Sequence, residues 1–134
     1  MTFWFADTWF YIALLDRDDQ HHRRVRQFVA DNGGSYVTTR WVLAEAANAL
    51  GSTSLRKQVT ILLNDLESEP STVIIKPSDD LYLSGLRLFS TRPDKNWSLT
   101  DCISFVVMQA QGITEALTGD RHFEQAGFKA IFVV

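Results

Sequence analysis

The sequence lacks the features that mark secreted and membrane proteins. It contains a single cysteine, Cys102, which cannot form a disulfide within the chain, so we expect a reducing cytoplasm. No apolar run approaches the roughly 18–20 residues of a membrane-spanning helix. The segment before Asp7 has no basic region, and a secretory signal peptide is therefore not expected. We predict a cytoplasmic protein that does not act at a membrane.

The chain also lacks an excess of positive charge. Its 13 Lys and Arg residues are outnumbered by 16 Asp and Glu residues, which gives a net charge of −3. Proteins that coat nucleic acid through bulk electrostatics are usually basic, so this class is disfavoured. An enzyme that contacts phosphates locally is compatible with this charge. One basic cluster is present, for which a solvated helix face is the alternative interpretation: His21, His22, Arg23, Arg24 and Arg26.

Three common catalytic motifs are absent as well. The sequence has no phosphate-binding GxxxxGKS/T loop, no dinucleotide-binding GxGxxG motif and no GxSxG nucleophile elbow. Serine hydrolases and enzymes with nucleotide cofactors therefore have no support. The three histidines lack companions at zinc-site spacing, so zinc is not expected.

Composition and element order predict the fold. The 134 residues, 46% hydrophobic and 22% charged, are typical of one globular domain spanning 1–134. Apolar runs alternate with helical periodicity along the chain. We predict strands at 3–6, 35–38, 72–75, 113–117 and 130–134, and helices at 9–16, 19–31, 40–50, 54–67, 79–89, 99–111 and 121–126. This order favours an α/β three-layer sandwich, with a mostly parallel sheet of four to five strands flanked by helices.

Three acids fall where such folds bind ligands, beyond the C-terminal ends of strands and at the starts of helices. Asp7 follows the first predicted strand, Asp120 follows the fourth, and Asp101 lies in the first turn of a helix. Each has an alternative role as a helix cap, and Ser98-Leu99-Thr100-Asp101 has the pattern of a capping box. Three carboxylates at one edge of a sheet repel one another, which indicates a bound cation or raised pKa values.

A fourth acid, Glu45, has no capping explanation. It lies in the middle of a predicted helix, and no basic residue stands three or four positions away to pair with it. An unpaired surface carboxylate is one interpretation, and a side chain directed at the other acids is the one we favour. Because carboxylate oxygens suit hard cations, the four acids together predict a magnesium or manganese site.

Four segments carry a resemblance to a known family. They are an early strand ending in Asp7-Thr8, a helical Glu45 followed by Asn48, the segment Trp97-Ser98-Leu99-Thr100-Asp101-Cys102, and the segment Thr118-Gly119-Asp120-Arg121-His122-Phe123. The last two, at their separation, are the specific part. With these segments the chain resembles PIN-domain proteins along nearly its whole length, and more narrowly the VapC-type ribonuclease toxins of bacterial toxin–antitoxin pairs.

The resemblance implies a PIN-like fold and a magnesium- or manganese-dependent endoribonuclease that inhibits translation as a toxin. It also implies a homodimer and a small antitoxin partner. The four acids match the family's catalytic and metal-binding positions, with Glu45 either a ligand or a group that orients the attacking water. Thr118 matches a hydroxyl residue that supports the site. Asn48 is a candidate to order Glu45 or a water, and Asp94 is a candidate accessory acid, although its surroundings equally suit an exposed turn.

RNA would need phosphate contacts from basic side chains, and Arg40 and Arg121 lie nearest to the acids in sequence. Two other function classes stay open. One is a catalytically silent PIN-like binding module. The other is a magnesium-binding phosphotransfer receiver domain, which needs an Asp at the end of a middle strand, and neither 35–38 nor 72–75 ends in one.

Overall fold

A five-stranded sheet, in which every pairing is parallel, forms the centre of the protein. The computed structural model describes residues 2–134. The strands are β1 (Phe3–Ala6), β2 (Ser35–Thr39), β3 (Thr72–Ile75), β4 (Glu115–Leu117) and β5 (Lys129–Ala130). The helices are α1 (Thr8–Leu15), α2 (His22–Asp31), α3 (Arg40–Leu50), α4 (Arg56–Leu66), α5 (Asp79–Thr91), α6 (Leu99–Gln111) and α7 (His122–Gln125). Within residues 2–134, no helix is both long and apolar enough to cross a bilayer.

The strands lie in the order β3-β2-β1-β4-β5, so the direction of travel across the sheet reverses between β1 and β4. Right-handed crossovers, the rule for parallel strands, place α1 to α4 on one face and α5 to α7 on the other. The packing agrees, because α1 contacts α2 and α3, while α6 contacts α5 and α7. The predicted α/β sandwich is confirmed, and a ligand crevice is expected beyond the C-terminal ends of β1 and β4.

The two central strands owe their position to their apolar sequences. Phe5 and Ala6 of β1 are completely buried, as are Ala116 and Leu117 of β4. A strand in the middle of a parallel sheet has helices over both faces, which is why these residues form continuous apolar runs rather than an alternating pattern. The polar residues that follow the two strands are therefore held at the edge of a rigid core.

Helix α6 begins and ends where local sequence signals predict. The Ser98 hydroxyl accepts the Asp101 backbone N–H at 3.0 Å, and the Asp101 carboxylate accepts the Ser98 backbone N–H at 3.1 Å, which forms the predicted capping box. At the other end Gly112 adopts φ 68°, the left-handed conformation that favours glycine after a helix. Both ends of this helix are therefore set locally, and its first turn is fixed at the sheet edge.

Strand β5 is shorter than the predicted strand at 130–134. Only Lys129–Ala130 pairs with β4 as a strand, and the chain turns immediately afterwards. The Phe132 ring then stacks on Trp9 of α1, with 5.3 Å between ring centroids. The prediction was wrong here because the apolar residues after Ala130 do not continue the pairing with β4. The Phe132 side chain packs instead on Trp9 of α1 and Phe28 of α2.

Helices α5 and α6 approach each other closely at Gly85, a buried residue of α5. A methyl group added to Gly85 would lie 2.3 Å from Ile103 Cγ1 and 3.2 Å from Ile103 Cα. The Ile103 side chain could turn away, but its backbone cannot move without shifting the helix that carries Asp101. Glycine is therefore required for this spacing.

We predict that Gly85→Ala destabilises the protein by about 1–3 kcal/mol, because overpacking exceeds the gain in helix propensity of about 1 kcal/mol. Urea unfolding measures the effect. Gly33→Ala is the matched control, since an added methyl group there has no neighbour within 4 Å and Gly33 has no positive φ. The control should stay within about 0.5 kcal/mol of the parent. A Gly85→Ala variant as stable as the parent would contradict the close packing of α5 and α6.

Candidate metal centre

Three of the predicted acids meet beyond the C-terminal ends of β1 and β4. Asp7 directly follows β1, Asp120 follows β4 after a short turn, and Asp101 stands in the first turn of α6. The C-terminal ends of parallel strands share one edge of a sheet. The charges of Asp101 and Asp120 both act on Asp7, so the structure brings the three carboxylates into one acid cluster.

Thr118 joins the ends of the two central strands. Its side chain is completely buried, and its hydroxyl donates a hydrogen bond to Asp7 Oδ2 at 2.9 Å. The same hydroxyl oxygen accepts the Asp120 backbone N–H at 3.0 Å. The Asp7 side chain makes no capping hydrogen bond to α1. Capping therefore does not explain Asp7, whereas its bond to Thr118 ties it to the acid cluster.

His122 joins the other two acids. Its Nδ1 lies 2.9 Å from Asp101 Oδ2 and 3.4 Å from Asp120 Oδ1. Asp120 Oδ1 also accepts the His122 backbone N–H at 2.8 Å, and Asp101 keeps its capping-box bonds. The capping interpretation therefore holds for Asp101, whereas Asp120 is not the N-cap residue of α7. The carboxylates of Asp101 and Asp120 both approach the His122 imidazole.

The acid cluster is unfavourable for ionised carboxylates alone. The pKa of Asp7 is raised from 3.8 to about 7, chiefly by burial; repulsion from Asp101 and Asp120 adds to this, while the hydrogen bond from Thr118 opposes it. The pKa of Asp101 is also raised, again chiefly by burial, despite the hydrogen bonds it accepts from Ser98 and His122. A cation would reverse both effects because it favours the ionised forms.

The donor set fits a divalent cation. Asp101, Asp120 and His122 each offer one ligand atom, and these atoms lie within 4.8 Å of one another. Carboxylate oxygens suit magnesium and manganese, and the imidazole nitrogen extends the choice towards transition metals. Thr8 supplies an independent indication that a water or an ion binds beside Asp7. Its hydroxyl, next to Asp7, is buried and has no hydrogen-bond partner among the residues described, and such groups are normally satisfied by water or an ion.

His122 is the member of this site that sequence reasoning missed. The absence of zinc-site spacing concerns the histidines only as zinc ligands, whereas His122 lies beside Asp101 and Asp120 in a group that could hold a metal ion. A histidine two residues after an acid at a helix start was a usable signal for its contact with Asp120. Its contact with Asp101, 21 positions earlier in the chain, depends on how α6 and α7 pack and has no local signal.

Three predicted residues stay outside the hydrogen-bonded group. Glu45 is half-buried on α3 and makes no hydrogen bond or ion pair within residues 2–134. Asn48 is exposed and lines a cavity of about 380 Å³ between α3 and α4. Asp94 pairs with Arg92 at 3.0 Å in an exposed turn, and Arg92 lowers the pKa of Asp94. Because α3 contacts α6, Glu45 nevertheless lies on a helix that reaches the one carrying Asp101.

The two predicted RNA-binding arginines are engaged at the surface. Arg40 makes two hydrogen bonds to the carboxylate of Glu67. Arg121 lies 3.1 Å from the carboxylate of Glu124 and donates to the Val134 carbonyl at 2.7 Å. Both ion pairs are exposed, so they are weak enough to exchange for a phosphate.

No protein-family model and no curated protein sequence matches the chain. Solved structures do match it. VapC20 of Mycobacterium tuberculosis, described as a Sarcin-Ricin loop cleaving toxin, is 22% identical with a TM-score of 0.88, over 97% of this chain and 98% of that one. FitAcB from Neisseria gonorrhoeae is 15% identical with a TM-score of 0.62, over 94% of each chain. At these identities the likeness establishes the fold, and the expected PIN-like architecture is confirmed.

In the metal-free protein we expect ionisation of Asp7 to destabilise the fold. The pKa of Asp7 is higher in the folded chain, about 7, than its ordinary value of 3.8. Its contribution to stability is therefore fully present below about pH 4 and is lost as the pH rises through about 7. Asp7→Asn cannot ionise, so its stability relative to the parent in urea with EDTA should be greater at about pH 8 than at about pH 5.5.

Asp65→Asn is the control for this measurement, because it neutralises an exposed acid on α4. Its stability relative to the parent should change little between the two pH values. An Asp7→Asn variant whose difference from the parent is the same at both would contradict the raised pKa of Asp7.

Proposed function

We propose that the protein is a metal-dependent endoribonuclease that hydrolyses RNA phosphodiester bonds. The observation that carries this proposal is the convergence of Asp7, Asp101 and Asp120 at the crevice between β1 and β4, the place where open α/β sheets bind ligands. Magnesium or manganese bound there would lower the pKa of a water molecule and stabilise charge developing on the phosphate. The protein's own part is to hold the carboxylates and orient the RNA.

The proposal gives the acids separate roles. Asp7, Asp101 and Asp120 supply ligands, and Thr118 keeps Asp7 in place. Glu45 approaches from α3, and because its carboxylate has no partner in the part of the chain described, it is available to complete the ligand set or to orient the attacking water.

Two accessory roles belong to the same proposal. Asn48 stands three residues after Glu45 on α3, a spacing at which side chains on a helix are neighbours, so it can order Glu45 or a nearby water. Asp94 would serve as an accessory acid only after its exposed ion pair with Arg92 opens. Of the two, Asn48 needs the smaller rearrangement.

The biological role in this proposal comes from the fold neighbours. VapC20 is described as a toxin that cleaves the Sarcin-Ricin loop. On that basis we propose that this chain is the toxin of a toxin–antitoxin pair, that structured RNA of the translation machinery is its substrate class, and that cleavage inhibits translation. A cytoplasmic location follows from such a substrate and agrees with the buried, unpaired thiol of Cys102.

A small antitoxin and a second copy of the chain are the proposed protein partners. Large apolar side chains are exposed along one helix, a common mark of an interface. They lie on α5 and suit a homodimer: Tyr82, Leu83, Leu86 and Phe89. A separate apolar cleft of about 200 Å³ lies between α1, α2 and α4 and suits a segment of the antitoxin; Phe10, Leu14, Val29 and Leu62 are among its lining residues.

The strand order separates the proposal from the receiver-domain alternative. Receiver domains have the order 2-1-3-4-5, whereas this sheet has the order 3-2-1-4-5. A catalytically silent binding module would share the fold and differs only in chemistry. Cleavage assays therefore decide between the nuclease and the silent module.

The basic face of α2 is an additional candidate for RNA contacts, beside Arg40 and Arg121. Arg23 and Arg26 are exposed and have no ion pair among residues 2–134. Arg24 donates to the Phe132 carbonyl at 3.3 Å, and the Phe132 ring stacks on Trp9. Trp9 in turn lies against Gly119, next to Asp120, since a methyl group on Gly119 would be 2.6 Å from its ring. This chain of contacts links the basic face to the acid cluster.

We predict that the purified protein cuts a stem-loop RNA of the sarcin–ricin kind with magnesium or manganese, and that EDTA abolishes cutting. Asp101→Asn and Asp7→Asn should each lower the rate at least about 100-fold, the order found when a group that stabilises transition-state charge is removed. Gel analysis of end-labelled RNA measures the rates. Asp65→Asn should cut like the parent. Folded Asp7→Asn and Asp101→Asn variants that both cut at the parental rate would overturn the mechanism.

We further predict that Arg23→Glu with Arg26→Glu weakens RNA binding. Fluorescence anisotropy with the inactive Asp101→Asn protein measures the affinity for RNA at several salt concentrations. The negative slope of log K against log salt should become smaller in magnitude by about 1–2, as expected when one or two phosphate contacts are lost. Lys57→Glu with Arg87→Glu makes the same charge change on α4 and α5 and is the control. Equal slopes for the two double variants would exclude α2 from the RNA site.

A further inference from the structure

The His122 imidazole lies between two carboxylates of the acid cluster. Its side chain is 26% exposed, compared with 11% for Asp101 and 35% for Asp120. Nδ1 approaches Asp101 Oδ2 at 2.9 Å and Asp120 Oδ1 at 3.4 Å. An ionised carboxylate can only accept a hydrogen bond, so the tautomer that suits ionised Asp101 has its proton on Nδ1.

Because of this contact, the two carboxylate oxygens of Asp101 differ in the number of hydrogen bonds that they accept. Oδ2 accepts two hydrogen bonds, from the Ser98 backbone N–H at 3.1 Å and from His122 Nδ1. Oδ1 accepts none from the residues that the structure describes. The two donors hold the carboxylate in one orientation, and Oδ1 is the oxygen left for a cation.

The backbone of His122 restrains Asp120 as well. Asp120 Oδ1 accepts the His122 backbone N–H at 2.8 Å, so the ring and the backbone of one residue act on two carboxylates. These carboxylates stand at the starts of different helices, α6 and α7, and nothing local to either helix would bring them together. His122 is therefore the direct bridge between them.

We propose that His122 is a positioning residue that holds Asp101 and Asp120 in the geometry that binds the metal. This proposal rests on the proposed metal-dependent function. In this proposal His122 acts through the two acids and not as the third ligand of the donor set described above, because its Nδ1 is already engaged with Asp101 Oδ2 at 2.9 Å. Groups that orient metal ligands in this way commonly change metal affinity by about 10–100-fold when removed.

The test is calorimetric titration of Mn²⁺ and of Mg²⁺ into the full chain without RNA. His122→Ala should bind both ions about 10–100-fold more weakly than the parent, by a similar factor for each. His122→Asn, whose amide can donate in place of Nδ1, should recover part of the loss. His22→Ala is the matched control, since His22 Nδ1 contacts the Ala13 carbonyl at 2.7 Å and is not part of the acid cluster. Its affinity should equal that of the parent.

Several results would overturn the proposal. They are parental affinity in His122→Ala, no recovery in His122→Asn, and a loss for Mn²⁺ with none for Mg²⁺, which would make His122 a direct ligand. Should His122→Ala fail to fold, His122→Phe keeps the ring volume without the donor and takes its place.

If the proposed metal-dependent nuclease function is wrong, the titrations and cleavage assays give a different set of results. A parent that binds neither ion removes the metal centre and this proposal together. A parent that binds both ions but leaves RNA intact removes only the nuclease, and the comparison of His122 variants still decides the role of His122.

Discussion

The hydrogen bond from the Thr118 hydroxyl to Asp7 spans 111 positions of sequence and joins the ends of the two central strands. The placement of the acid cluster follows from it. The Thr118 oxygen accepts the Asp120 backbone N–H, Asp120 accepts the His122 backbone N–H, and the His122 ring reaches Asp101. Each link is a hydrogen bond of 2.8–3.0 Å between side chains or backbone groups of the site. The rigid sheet supplies the edge, and this series of bonds sets the side chains along it.

Much of the fold and part of the site could be predicted from the sequence, and the difference has a physical basis. Apolar runs and caps are local signals, so β1 and α6 and the acids at their ends were found from sequence alone. Contacts between distant elements could not be predicted, because they depend on packing. Examples are His122 beside Asp101 and the Arg40 ion pair with Glu67. The early end of β5 also depends on packing, since the residues after it contact the helices. The direction of the Glu45 side chain belongs to the same class, since a helical position does not reveal which neighbour a side chain meets.

The acid cluster places stability and proposed function in opposition. Burial that favours a compact core also raises the pKa of Asp7 and of Asp101, so the metal-free fold contains carboxylates that resist ionisation. The hydrogen bond from Thr118 to Asp7 and the one between His122 and Asp101 oppose this rise in pKa but do not cancel it. A positive charge would relieve the repulsion between these carboxylates, and the divalent cation of the proposed function would supply it. A local conflict of this kind, maintained inside an otherwise consistent fold, is common at sites kept for chemistry.

The topology also has a consequence for how the protein comes into being on the ribosome. Translation releases the chain from its N-terminus, and β1 with Asp7 emerges early. Its neighbour β4 and the residues Thr118, Asp120 and His122 are made more than a hundred residues later. A nascent chain therefore lacks Asp120, one of the three acids of the cluster, until the residues that follow β4 have been made. If the protein cuts RNA of the translation machinery, a partly made chain cannot assemble the acid cluster before β4 pairs with β1.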